Sequence, residues 1–177
     1  HDGPELVTFG VSLVMTVPQR YDRSSPRPSP GRVELRIRNE LRLRRGARTV
    51  EVLATVDNTA EDHRLRFVLP TDARSATTWY AAMPFDVCER PVAVDTHTAA
   101  WAEREIAEKP FRDIAAIGND SRGLALLGGH GMHEAAVTDD LRRSLCVTLL
   151  RSFHRTFTDD DLADALELGR HEYRFAL

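Results

Sequence analysis

Lysine is almost missing from this sequence: Lys109 is the only one, and arginine supplies the rest of the 24 basic residues. The arginines are scattered along the chain, which points to codon usage and not to a basic tract. Set against 27 acids they leave a formal net charge of -3. Nucleic-acid-binding domains are normally basic overall, so no nucleic acid is expected as a partner. No apolar run approaches the ~20 residues that a bilayer-crossing helix needs, and no membrane partner is expected either. Cysteine is scarce too. Cys88 and Cys146 are the only two, without CxxC spacing, which excludes a zinc site built on thiolates and argues against a disulfide framework. A single Cys88–Cys146 bridge stays open, but the apolar, strand-like surroundings FDVCER and SLCVTLL favour two buried free thiols. The chain opens HDGPELVTF, with neither a methionine nor a signal peptide. That reads as a piece of something longer, with a cytoplasmic location as the expectation.

Several catalytic signatures are absent as well. There is no GxSxG nucleophile turn, no P-loop and no Rossmann glycine pattern. A zincin needs HExxH on a helix, so that both imidazoles share one face. Here the order is HxxHE, in GGHGMHE, with Gly128, Gly129 and Gly131 around His130 and His133. On an extended chain residues three apart point to opposite faces. The stretch is read as a glycine turn between strands, and only a special turn would make it a metal pair. Carboxylates are plentiful, at Glu61, Asp62, Asp86, Glu89 and the run Asp159–Asp161. A glycosidase needs two of them ~5–9 Å apart across a sugar ring, and sequence shows no such pair. Trp79, Tyr80 and Trp101 offer either a sugar-stacking platform or core packing; adjacent Trp79 and Tyr80 face opposite ways on a strand.

What is present is alternation. The 177 residues suit one domain, and 42% hydrophobic with 29% charged residues is globular composition. In LVTFGVSLVMTVP the odd positions Val7, Phe9, Val11, Leu13, Met15 and Val17 are all apolar, the period-two signature of a strand. RYDRSSPRPSPG (20–31) then reads as a Pro/Ser-rich surface loop. In VELRIRNELRLR (33–44) apolar odd positions alternate with Glu34, Arg36, Arg38, Glu40, Arg42 and Arg44. After a turn at Arg45-Gly46-Ala47 come Val50, Val52, Ala54 and Val56, then NTAEDH, then Leu65, Phe67 and Leu69. These three runs predict an antiparallel meander. Further strands are expected at 75–81, 84–90, 111–117, 122–128, 133–137, 141–151 and 171–177. The segment 99–109 is a short helix or a loop, and TDDDLADALELG (158–169) holds at most a short helix. The whole is expected to be all-β: a single large antiparallel sandwich over residues 1–177.

At VEVLATVDNTAEDHRLRFVLPT the chain resembles the C-terminal β-domain of glycoside hydrolase family 38, the retaining α-mannosidases and mannosylglycerate hydrolases. Asn58, Asp62, His63, Arg64, Leu65, Arg66, Leu69, Pro70 and Thr71 fit the pattern there. FDVCERP (85–91), RGLALLGGHGMHEAAV followed by LCVTLLRS, and GRHEYRFAL (169–177) resemble further family stretches in the same order. Together they cover roughly residues 31–177.

The resemblance implies a galactose-mutarotase-like supersandwich and a parent enzyme that cleaves terminal α-linked mannose through a covalent intermediate. It places the zinc and the aspartate nucleophile in an N-terminal catalytic domain of the same polypeptide, outside these residues. No catalytic, cofactor-binding or metal residue is therefore carried over, and no cofactor is expected on this chain. What it implies here is a supporting role, with loops lent to the rim of a carbohydrate cleft. The candidates for rim or interface are Asp62, His63 and Arg64, and Asp86, Glu89 and Arg90. Each set has a plainer reading: the first orders a turn, and Arg90 pairs with Asp86 or Glu89 to fix a strand end. Arg155–Gly169 departs from the family, being acidic where the family has a variable loop. The alternative function is a freestanding carbohydrate-binding module with an exposed aromatic shelf.

Overall fold

A computed structural model describes the chain except for His1, Arg23, Pro26, Gly129, His130, Phe157, Asp160 and Asp161. The strands are β1 (Leu6–Pro18), β2 (Tyr21–Asp22), β3 (Arg27–Pro28), β4 (Arg32–Arg44), β5 (Glu51–Asn58), β6 (Arg64–Leu69) and β7 (Thr78–Ala82). Then follow β8 (Val87–Pro91), β9 (Lys109–Pro110), β10 (Ile114–Gly118), β11 (Gly123–Leu127), β12 (Glu134–Val137), β13 (Leu145–Arg151) and β14 (Gly169–Ala176). The helical content among the described residues is two 3-10 turns, Thr96–Ala100 and Ala163–Leu166. No helix there is long and apolar enough to cross a membrane. The fold is the expected all-β, antiparallel sandwich class.

Two compact units are distinguished, His1–Leu65 with Leu150–Ala176, and Arg66–Leu149. In the first, the sheet runs β1-β4-β5-β14. Register follows the hydrophobic alternation, since a slip by one residue would turn every apolar side chain to the wrong face. Leu41 pairs with Phe9 on one side and Val52 on the other, and Val52 pairs with Phe175. That face is well covered at Val52, Ala54, Val56, Tyr173 and Phe175, which are 5% exposed or less. Cover falls away toward β1, where Phe9 is 64% exposed. Gly46, at φ +74°, closes the β4–β5 hairpin in the left-handed region.

The opposite face carries the arginine stripe. Its charges pair within the face: Arg36 with Glu34 at 2.5 Å, Arg44 with Glu51 at 3.2 Å, and Arg170 with Glu172 at 3.1 Å. Arg42 Nε donates to Glu40 at 2.7 Å. Exposed pairs of this kind contribute at most about 1 kcal/mol each.

The second unit has a sheet in the order β11-β10-β7-β8 and another in the order β6-β13-β12-β9. Trp79, Ala81, Ala115, Ile117 and Leu126 form the buried row of the first sheet. Ala135–Val137 and Leu145–Val147 are buried on both faces of the second. Gly118 faces Gly123 across the β10–β11 hairpin, where a Cβ on either would come within 3.1 Å of the other's Cα.

Two expectations are corrected. The meander stops at β5: the free edge of β5 is taken by β14 from the far end of the chain, and β6 joins a different sheet. The 20–31 stretch is more than a loop, because Tyr21–Asp22 and Arg27–Pro28 pair as a small ribbon. Asp22 Oδ1 folds its tip by accepting from both the N and Oγ of Ser24. In 158–169 the helical part is one short 3-10 turn, Ala163–Leu166, within the at-most-short helix expected there. Both cysteines are free; burial pushes the Cys146 thiol above its ordinary range, which keeps it protonated and unreactive.

Candidate functional site

The connection from β5 to β6 holds the family stretch, and its polar side chains bind neighbouring segments of chain. Asn58, 2% exposed, ends β5. Its Nδ2 donates to the carbonyls of Leu166 at 3.3 Å and Glu167 at 2.8 Å, and its Oδ1 accepts from Ala60 N at 3.2 Å. One amide thus closes its own turn and fixes the entry to β14. Thr59 Oγ1 donates to the Glu34 carbonyl at 2.7 Å.

Asp62 sits at φ +55°, a conformation that Asp and Asn adopt more readily than other L residues. Its side chain is only 8% exposed. The carboxylate accepts from the backbone N of His154 at 3.0 Å and from Tyr21 N at 3.4 Å, and it pairs with His154 Nδ1. The Asp62 N–H donates to Ser152 Oγ at 3.1 Å, while Ser152 N donates to the His63 carbonyl at 2.9 Å. A buried carboxylate with several donors is a fixed anchor, because each partner loses more by being left alone than it gains by pairing.

His63 follows directly and is treated differently. Both ring nitrogens are buried, and neither has a hydrogen-bond partner among the described residues. Burial holds its pKa below the ordinary histidine value, against the smaller opposing pulls of the Glu61 backbone, Asp62 and Glu167. The imidazole is therefore neutral at pH 7. Asp62, His63 and Arg64 border a cleft of about 220 Å³, whose apolar wall includes Met15, Tyr21 and Leu35.

The second candidate set lies in the other unit. The β7–β8 hairpin turns at Met83–Asp86, with Met83 N donating to Asp86 O at 2.7 Å and fully exposed Phe85 at the tip. Asp86 Oδ1 accepts from Val87 N at 2.7 Å. Glu89 accepts from the Tyr80 hydroxyl at 3.3 Å. Arg90 is not paired as expected with Asp86 or Glu89. Trp79 is its cross-strand partner, so the guanidinium lies over the indole, 5.6 Å from the ring centroid, and donates to Met83 Sδ at 3.3 Å. Trp79, at 2% exposure, is a core residue, whereas Tyr80 and Trp101 are exposed. The three rings therefore do not form a shared exposed shelf.

Among the described residues no group of three or more His, Cys, Asp or Glu side chains could hold a metal ion. The His130 half of the histidine pair, and Asp160 and Asp161 of the acidic run, lie outside the described residues. Ser152 and His154, the partners of Asp62, are missed by sequence reasoning. Their one signal is position: they follow directly on the strand Leu145–Arg151.

The family model described as "Glycosyl hydrolases family 38 C-terminal domain" matches residues 12–161, and the chain belongs to that family. It is 33% identical over 131 residues to a protein of Halalkalibacterium halodurans whose name assigns it, provisionally, to mannosylglycerate hydrolysis. That alignment covers 74% of this chain and 14% of the relative. Two crystal structures from Enterococcus faecalis share the fold at 16% identity. One is a protein of glycosyl hydrolase family 38 (TM-score 0.80, covering 98% of this chain and 21% of that one). The other is an alpha-mannosidase of strain V583 (TM-score 0.84, covering 98% and 20%). This chain thus spans about a fifth or less of the length of these relatives.

Proposed function

We propose that this chain is the C-terminal accessory β-sandwich of a retaining α-mannosidase, an enzyme that removes terminal α-linked mannose, and that alone it is catalytically silent. The observation that carries this reading is the family match over residues 12–161, combined with the 14–21% of each relative's length that the chain spans. In this reading the zinc and the nucleophilic aspartate belong to an N-terminal catalytic domain of the same polypeptide, which is the principal partner. The contribution of this chain is packing and position. Asp62 holds its loop, His63 and Arg64 border the cleft beside it, and exposed Asp86 and Glu89 stand on the β7–β8 hairpin where a rim contact would be made.

The test is an assay on an aryl α-mannoside. The chain alone, with or without zinc, gives no turnover above background. Added to a family 38 catalytic portion that lacks its own C-terminal β-domain, it restores hydrolysis. Turnover by the chain alone would refute silence, and a failure to restore activity would remove the accessory role.

A further inference from the structure

The outer face of the sheet β11-β10-β7-β8 is built unlike a surface meant only for water. Its inner side carries the buried Trp79, Ala81, Ala115, Ile117 and Leu126. The residues between these point outward, because side chains alternate along a strand. Cross-strand register sets the outward residues in rows. The central row is Glu89, Tyr80, Ala116 and Ala125. One flanking row runs from Val87 to Leu127 and the other from Pro91 to Gly123, and neither holds a charged residue. Glu89 is therefore the one charge among these strand positions, whereas the solvated stripe of β4 carries a charge at every even position from Glu34 to Arg44 except none.

Tyr80 stands in the middle of the face. It is 42% exposed, and its hydroxyl donates to Glu89 at 3.3 Å. That bond fixes the ring before any ligand arrives, which lowers the cost of binding. Directly opposite on β10 is the Ala116 methyl, with Ala125 beyond it, both half-buried. These two alanine-bearing strands make a floor about 10 Å wide beside the ring, room for one sugar ring. Arg90 turns to the other side of the sheet, over Trp79. Among the described residues no ion pair takes Glu89, so its carboxylate keeps acceptor positions open.

A pyranose matches each of these features. It is neutral, its apolar C–H face lies well on an aromatic ring, and its hydroxyls donate to a carboxylate. We propose that Tyr80, Glu89 and the floor of Ala116 and Ala125 form a binding site for a single neutral pyranose. A polypeptide is the poorer match. Three rows over four strands span roughly 300 Å², well short of the about 800 Å² per partner of a stable protein interface. A covering protein would also bury the Glu89 charge unless it brought a cation of its own. The site goes beyond the accessory reading and does not depend on it.

The test is a titration of the isotope-labelled chain with methyl β-D-glucopyranoside and, separately, methyl α-D-mannopyranoside, followed by the backbone amide resonances. At least one of the two should shift Tyr80, Ala116 and Ala125 saturably, with a Kd of about 1 mM. Glycerol, which has hydroxyls but no ring face, should not. Tyr80→Ala should abolish the response. Glu89→Gln still accepts from the tyrosine hydroxyl but loses its charge, and it should weaken binding about tenfold, with the other resonances unmoved in both variants. Absence of a saturable shift with either sugar overturns the proposal. So does a response that Tyr80→Ala leaves intact, or one that glycerol equals. Shifts of the same amides by a family 38 catalytic portion, with none by either sugar, would show a polypeptide on this face and overturn it as well.

Discussion

Asp62 does at residue scale what a longer element would otherwise do: one carboxylate holds the β5–β6 turn against the backbone and ring of His154 and against Tyr21. Two substitutions separate its roles. Asp62→Asn keeps a side chain that tolerates φ +55° and can still accept from an N–H, but it loses the charge; the expected loss is about 1–2 kcal/mol. Asp62→Ala loses the acceptor, leaves the His154 donors alone and strains the backbone, and should cost about 3 kcal/mol or more. Urea midpoints at pH 7 measure both, and equal midpoints for wild type and Asp62→Ala would remove the anchoring role. His63, next along, is buried neutral, with its folded pKa depressed below the unfolded value. Between the two values the unfolded chain binds the extra proton, so stability is full above pH 6.5 and falls as pH drops below it. The slope from this one group is at most about 1.4 kcal/mol per pH unit. His63→Phe removes the orphaned nitrogens and should flatten that part of the acid limb, while leaving stability at pH 7 equal or higher. An acid limb identical to wild type would show that His63 does not titrate in this way.

At the scale of elements, local pattern was a good guide wherever structure is decided locally. Alternation in 6–18 and 33–44 reads directly as β1 and β4, and Arg45-Gly46-Ala47 as the turn between β4 and β5. It failed where a distant segment decides. Nothing within Val50–Leu69 shows that β14 will take the open edge of β5, so local pattern pairs β6 with β5 where the fold does not. The candidate site divides in the same way. Asp62, His63 and Arg64 were legible because a family stretch runs through them. Ser152 and His154 were not, because their role comes only from folding next to Asp62. Arg90 departs from expectation for a related reason: acids nearby in sequence suggest a salt bridge, but strand register sets the guanidinium over Trp79 instead. The Pro/Ser-rich stretch hid its small ribbon because Asp22 and Ser24 fold it through side-chain bonds that no alternation records.

At the scale of the whole molecule, charge decides what the arginine stripe can do. Arginines at alternate positions of β4 look like a track for phosphates, yet phosphate binding depends on uncompensated charge that can release counterions. Here Glu34, Glu40 and Glu51 stand among those arginines, Glu172 pairs with Arg170 and Arg174 on the same face, and the chain carries a net charge of -3. An approaching polyanion would have to break these pairs and meet their carboxylates at close range. The expected result with a fluorescently labelled DNA oligonucleotide is flat anisotropy across the accessible range of chain concentration, even at low salt. Binding that weakens linearly on a log–log salt plot would give the number of neutralised phosphates from its slope, and it would show that the stripe attracts polyanions despite its acids.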